Sequence, residues 1–210
     1  MEKKFILTDK FVINSFGIKL FQIKCTKSFK YAQKGDFGGY VEKEGNLDQE
    51  NDAWVFGNAR VFGNARVSSN ARVSGDAWVS DNAWVSSNAL VSGYAWVSGD
   101  ARVFGNARVS GDAWVSGNAW VSGNAWVSGD ADIENDNEHC GFDGFGSCNR
   151  HTHAYMTKEK KVEIICGCFR GSIEEFEKKV EETHSGTVYE KQYKSIINVI
   201  KIKFGLTDFT

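Results

Sequence analysis

Side chains able to do chemistry fall into two groups along this sequence. Cys140, Cys148, His151, His153, Cys166 and Cys168 lie together toward the carboxy-terminal end, and all seven tryptophans lie between Trp54 and Trp126. Thiols and imidazoles both ligate zinc, so the first group contains enough donors for a four-ligand site. Its pairs, His151-x-His153 and Cys166-x-Cys168, would each lie on one face of an extended strand. The Cys-x2-Cys spacing usual for zinc is absent. The favoured expectation is buried structural thiols and surface histidines, with no metal and no cofactor. A Cys/His hydrolase pair is weaker still, because no local nucleophile motif surrounds any of these cysteines. Arg170 and Gly171 precede an expected helix start at Ser172, where exposed N–H groups could hold an anion or simply be capped.

The tryptophans are positioned by a period of six. From Ala53 the chain reads AWVFGN, ARVFGN, ARVSSN, ARVSGD and onward to ADIEND at Asp136, 14 units in unbroken register. Every unit begins with Ala, and its third residue is Val, or Ile133 in the last. Six residues do not fit a helical period of 3.6, and a disordered tract would not keep an aliphatic residue at one position. Each Val is therefore the inward centre of a very short strand, and its neighbours point outward. The Gly-Asn/Asp-Ala segment turns a corner, with Gly or Asn/Asp supplying left-handed backbone and Ala fitting the inner side. Three units close one coil, so residues 53–136 should make between four and five coils, spaced roughly 4.8 Å.

Assigning successive units to three faces gives three outward columns. The first holds Trp54, Arg72, Leu90, Arg108 and Trp126; the second Arg60, Trp78, Trp96, Trp114 and Asp132; the third Arg66, Trp84, Arg102 and Trp120. The binding candidates are Trp78, Trp96 and Trp114 as an exposed stripe, Trp84 and Trp120 with Arg66 and Arg102, and Arg72 with Arg108. Tryptophans anchor interfaces, and an exposed apolar stripe marks one. Three readings stay open: the stripe joins copies of the chain, it takes a foreign partner, or it lies beneath the terminal regions. The mixed Arg/Trp columns could stack aromatic or anionic ligands. Nucleic acid is nevertheless not expected, given the acidic turn residues Asp76, Asp100, Asp112 and Asp130.

Read from each valine, as in Val73-Ser74-Gly75-Asp76-Ala77-Trp78, the units resemble the hexapeptide-repeat, left-handed parallel β-helix family, with an aliphatic first and a small fifth residue. The resemblance implies the left hand and a trimeric habit. Many members are acyltransferases with a general-base histidine on or beside a coil. Here the repeat contains no histidine, so no such base is carried over. The lead-in Gly38-Gly39-Tyr40-Val41-Glu42 is similar to that of uncharacterised phage and prophage hexapeptide-repeat proteins.

The flanking regions differ. In residues 1–52, a β-rich capping region, Lys4–Leu7, Phe11–Ile13 and Ile18–Cys25 read as strands about the turn Asn14-Ser15-Phe16-Gly17. The stretch 34–42 is expected to cap the first coil, ahead of an out-of-phase unit around Leu47. In residues 137–210, His139–Arg150 reads as loop and His151–Met156 and Lys161–Cys166 as strands. A helix starts at Ser172, with Glu175 completing a capping box, and a second runs over Tyr189–Ile200. The fold class expected is mainly β: a left-handed parallel β-helix with a small α+β terminal module of ββαα type.

The net charge of −2 gives no general drive toward polyanions or membranes. No stretch approaches the ~18 consecutive apolar residues of a membrane span. Five cysteines without an export signal fit a reducing, cytoplasmic setting. The expected function is a non-catalytic, phage-type binding protein and host-defence antagonist, which blocks or sequesters a host protein or nucleotide signal and forms a homo-oligomer, for which the resemblance implies a trimer. A structural or assembly protein and an acyltransferase-like enzyme are the alternatives.

Overall fold

The computed structural model describes residues 2–206. Three antiparallel-linked strands come first, β1 (Phe5–Ile13), β2 (Lys19–Cys25) and β3 (Phe37–Val41). Fourteen two-residue strands, β4 to β17, then run from Trp54–Val55 to Asp132–Ile133, one per repeat unit. A four-stranded antiparallel sheet follows, of β18 (His139–Phe145), β19 (Arg150–Met156), β20 (Val162–Cys166) and β21 (Phe169–Ser172). Helices α1 (Ile173–His184) and α2 (Val188–Lys203) close the chain's described part. Among the described residues no helix is long and apolar enough to cross a membrane.

The repeat is a β-solenoid of about five turns. Its strands stack in parallel at every third unit, so that Trp96 pairs with Trp78 and Trp114, Arg102 with Trp84 and Trp120, and Leu90 with Arg72 and Arg108. We call the three resulting sheets face one (Trp54 to Trp126), face two (Arg60 to Asp132) and face three (Arg66 to Trp120). Each coil donates to the next, as in Trp78 N to Ala95 O, Ser80 N to Val97 O and Asn82 N to Gly99 O, all 2.9 Å. The valines and alanines of the units form one continuous buried core. Amide ladders run along two corners: Asn70, Asn88, Asn106 and Asn124 are linked side chain to side chain at 3.2–3.3 Å, and Asn64, Asn82 and Asp100 at 3.0–3.2 Å.

Positive φ falls on the fifth residue of the unit, the Gly position, and not on the Asn/Asp that follows. At Gly93 (φ +72°) a Cβ would lie 2.9 Å from the backbone nitrogen of Gly111 in the next coil, so conformation and space both select glycine. Ser69, Asp81 and Ser87 hold the same conformation at φ 58–59°. A non-glycine residue pays a steric penalty there. Ser87→Gly is therefore expected to stabilise the protein by about 1 kcal/mol, after allowing for glycine's extra unfolded-state entropy. A thermal melt that moves down in this variant would contradict that account.

The structure revises several sequence expectations around the solenoid. The two amino-terminal strand segments are one strand, β1, with an irregularity between Leu7 and Phe11. The Leu47 unit is out of phase in sequence only: Val41 pairs with Val61 and Leu47 with Val67, both at a spacing of 20 rather than 18. Two extra residues before Val55 absorb the difference, so β3 and Leu47 extend faces two and three by a coil. The Lys4 ammonium closes this end, donating to the carbonyl of Ala53 at 2.9 Å. Burial lowers its pKa to about 8.

At the other end His139–Arg150, expected as loop, contains β18. Its glycines hid it: a Cβ on Gly141 would sit 2.7 Å from the His151 ring. β21 was also absent from the expected ββαα order, being four residues long and running directly into the α1 cap. The module is thus ββββαα, with Ile173, Phe176 and Val180 of α1 and Tyr193, Ile196, Ile197 and Ile200 of α2 packed with Ile164 and Ala154 of the sheet. The capping box holds: Ser172 and Glu175 bond reciprocally at 2.8 and 3.2 Å.

Candidate functional site

Face two carries the tryptophan stripe. Stacking in adjacent coils sets Trp78 and Trp96 edge to face at 5.8 Å between centroids, and Trp96 and Trp114 at 5.5 Å. The Trp96 indole N–H donates to Ser80 Oγ in the preceding coil, which lays the ring over its neighbour. The Arg60 guanidinium closes the column 5.2 Å from the Trp78 ring.

The stripe is not open along its length, which corrects the expectation of three exposed rings. Phe16, at the tip of the β1–β2 hairpin, packs 6.0 Å from Trp78 and 6.2 Å from Trp96. From the opposite end the turn between β19 and β20 reaches back along the face. Lys158 Nζ stands 4.7 Å over the Trp114 ring while donating to Asp112 O, and Lys160 pairs with Asp132 at 3.1 Å. Trp78 and Trp96 are half-buried; Trp114 remains 46% exposed. A recess of about 260 Å³ lies on this face, with Trp96 and Trp114 as its apolar floor and Ser98, Ser116, Asp132 and Glu134 around it. Nothing in the sequence marked Lys158 as part of this surface. Phe16, an apolar side chain in a hairpin turn, was the one legible signal.

Face three is uncovered by comparison. Trp84 and Trp120 are 44% and 48% exposed, and the Arg102 guanidinium lies between them, 5.8 and 5.0 Å from the two rings. Ser86 and Phe104 complete a shallow cavity of about 210 Å³ there. Arg66 is exposed at the column's start. On face one, Arg72 stacks on Tyr31 at 5.1 Å, and Arg108 is exposed beside Trp126. Trp54 departs from the expected outward exposure. It is 1% exposed, beneath Phe5 and Phe29 of the amino-terminal region. The nine candidate residues are therefore distributed over three faces, not assembled into one site.

The histidines are more enclosed than expected: His139, His151 and His184 are half-buried. His139, His151 and His153 cluster where β18 and β19 meet the last coils, and His153 is buried. His153 Nδ1 lies 3.1 Å from Trp126 O and must donate to it, so its Nε2 accepts from His139 Nδ1 at 3.1 Å. His151 Nδ1 donates to Asp143 Oδ1 at 2.8 Å, and that bond holds the Asp143 carboxyl below its ordinary pKa. Burial, together with the neighbouring His139, pushes the His153 imidazole down to about 3, and burial lowers His139 as well.

The thiols are mixed: Cys25 and Cys166 are buried, Cys140 is half-buried, and Cys148 and Cys168 are exposed. Cys148, Cys166 and Cys168 line a cavity of about 300 Å³ with Arg150, His184 and Tyr193. Among the described residues no three His, Cys, Asp or Glu side chains are placed to hold a metal ion. The helix start at Ser172 is already filled. Glu175 takes the Ser172 N–H, and Arg170 is held by Glu163 at 2.7 Å.

A family model, the YdcK beta solenoid repeat, matches residues 59–74, 65–81, 71–87, 101–117 and 113–129. These stretches lie within the coils, so the chain contains a β-solenoid repeat similar to that family's, and the match extends to neither terminal module. No curated protein matches the chain.

Proposed function

We propose that this chain is a non-catalytic binding protein, in which a rigid solenoid presents the face-two recess to a partner that it blocks or sequesters. One observation carries the reading: two edge-to-face indoles form the floor of an accessible recess, and each ring is also touched by a separate terminal module, Trp96 by Phe16 and Trp114 by Lys158. Aromatic floors with a polar rim suit recognition, and a stack of hydrogen-bonded coils holds them without an ordering cost on binding. The phage resemblance of the lead-in supplies the partner class, a host protein or nucleotide signal, and with it a host-cell cytoplasmic setting. Left-handed winding belongs to the same proposal.

The test is a paired capture from host extract, with the protein and its Trp96→Ala/Trp114→Ala variant compared by native mass spectrometry. Exposed-ring truncations at an interface centre each cost about 2 kcal/mol or more, so a partner held by the parent should be lost from the variant while its thermal melt stays cooperative. A partner retained equally by both would remove face two from the reading.

A further inference from the structure

We propose that face three is a self-recognition surface, joining two copies of this chain antiparallel about a two-fold axis that lies along the strand direction. The column order carries the inference. Face three presents Arg66, Trp84, Arg102 and Trp120 in successive coils. Reversed, the column meets itself with every arginine against a tryptophan: Arg66 faces Trp120 of the second copy, and Trp84 faces its Arg102. Such self-matching is what an isologous interface requires.

The adjacent outward column repeats the match by size. Ser68, Ser86, Phe104 and Ser122 follow the valines, and the same reversal sets Phe104 against Ser86 of the second copy. The chemistry of the contact is already displayed within one chain, where Arg102 stacks between Trp84 and Trp120. Among the described residues neither Arg66 nor Arg102 has a carboxylate partner; the Trp120 backbone N–H donates to Asp136 at 2.7 Å, but its ring and that of Trp84 stay 48% and 44% exposed, so the side chains of this face are free to meet a second copy.

The other faces do not offer this. Face one reads the same in both directions, so reversal sets Arg72 against Arg108. Face two would match in charge, but Phe16 and Lys158 stand on it. A two-fold axis along the solenoid would instead oppose each Arg/Trp column to the serine column of its own coil, leaving the alternation unused.

Sedimentation of the full chain is expected to give a dimer, and Trp84→Ala/Trp120→Ala to raise its dissociation constant by at least about a hundredfold. Trp96→Ala/Trp114→Ala should leave the dimer intact, which separates this interface from the face-two binding reading. Orientation is read by a short bismaleimide on a Ser68→Cys/Ser122→Cys variant in which Cys148 and Cys168 are serine. The two positions are three coils, roughly 14 Å, apart in one chain, and peptide mapping should find them linked between chains. A monomer at high concentration, a trimer, a dimer indifferent to the face-three alanines, or a dimer without the 68–122 link would each overturn the proposal.

Discussion

Val97→Asp is expected to abolish the folded state, and Ser98→Asp, one residue on, to leave it intact. Val97 is fully buried at the centre of face two's inner column, between Val79 and Val115. Aspartate there loses the transfer energy of a valine and places a carboxylate where only Val and Ala side chains surround it. Together these exceed about 4–5 kcal/mol, the range that single substitutions reach only by such mechanisms. A solenoid transmits the damage, since each coil is stabilised by its neighbours. Ser98 points outward beside the recess, where a surface change stays within about 0.5 kcal/mol. Far-UV circular dichroism and thermal melts of the two variants check this. A folded Val97→Asp protein would mean that the inward column is not the core.

Acidification is expected to release the carboxy-terminal sheet from the solenoid before the coils themselves melt. His153 is held neutral, with its pKa lowered to about 3 from 6.5 by burial and by His139. A depressed histidine contributes stability that is complete above pH 6.5 and lost as pH falls toward the folded value. His139, lowered in the same direction, adds to this, whereas the stabilisation from the Asp143 carboxylate bonded to His151 is lost only at lower pH, as that depressed carboxyl protonates. At about 1.4 kcal/mol per pH unit, His153 alone loses ~3 kcal/mol between pH 6.5 and 4.5. The groups around the cluster are Asp136 and Asp143, Tyr155, and Lys203 of α2, whose charge also disfavours a protonated His139. Hydrogen exchange of β18 and β19 should rise over that range while the central coils stay protected. In His153→Gln, which keeps a donor for Trp126 O, the exchange should depend less on pH; an unchanged slope would assign the acid response elsewhere.

These expectations rest on parts of the fold that were unequally legible in sequence. The three columns could be written down from the repeat alone, because an 18-residue coil leaves each outward side chain one lateral neighbour in either direction. What lies over a column could not. Trp54 and Trp78 occupy the same unit position as Trp120, yet one is enclosed by Phe5 and Phe29, the second lies against Phe16, and the third is open. That difference depends on where chain outside the repeat returns, and no local pattern encodes it. The histidines failed for a related reason. Alternation along β19 placed His151 and His153 on one side, but the coils that bury them are 27 residues back from His153 at Trp126. The Ser172 cap was readable because both of its partners are within three residues.

Phe16 and Lys158 reach face two from two modules that never meet in sequence, and the coils between them act as a gauge. Excising one whole coil, such as residues 84–101, would advance the lysine turn toward the hairpin tip by roughly 4.8 Å without rotating either. Excising one six-residue unit would instead carry the turn a third of the way around the axis, off face two altogether. Length in this protein is therefore quantised. Changes in steps of eighteen adjust the distance along face two between Phe16 and Lys158, and changes in steps of six choose which face the lysine turn reaches.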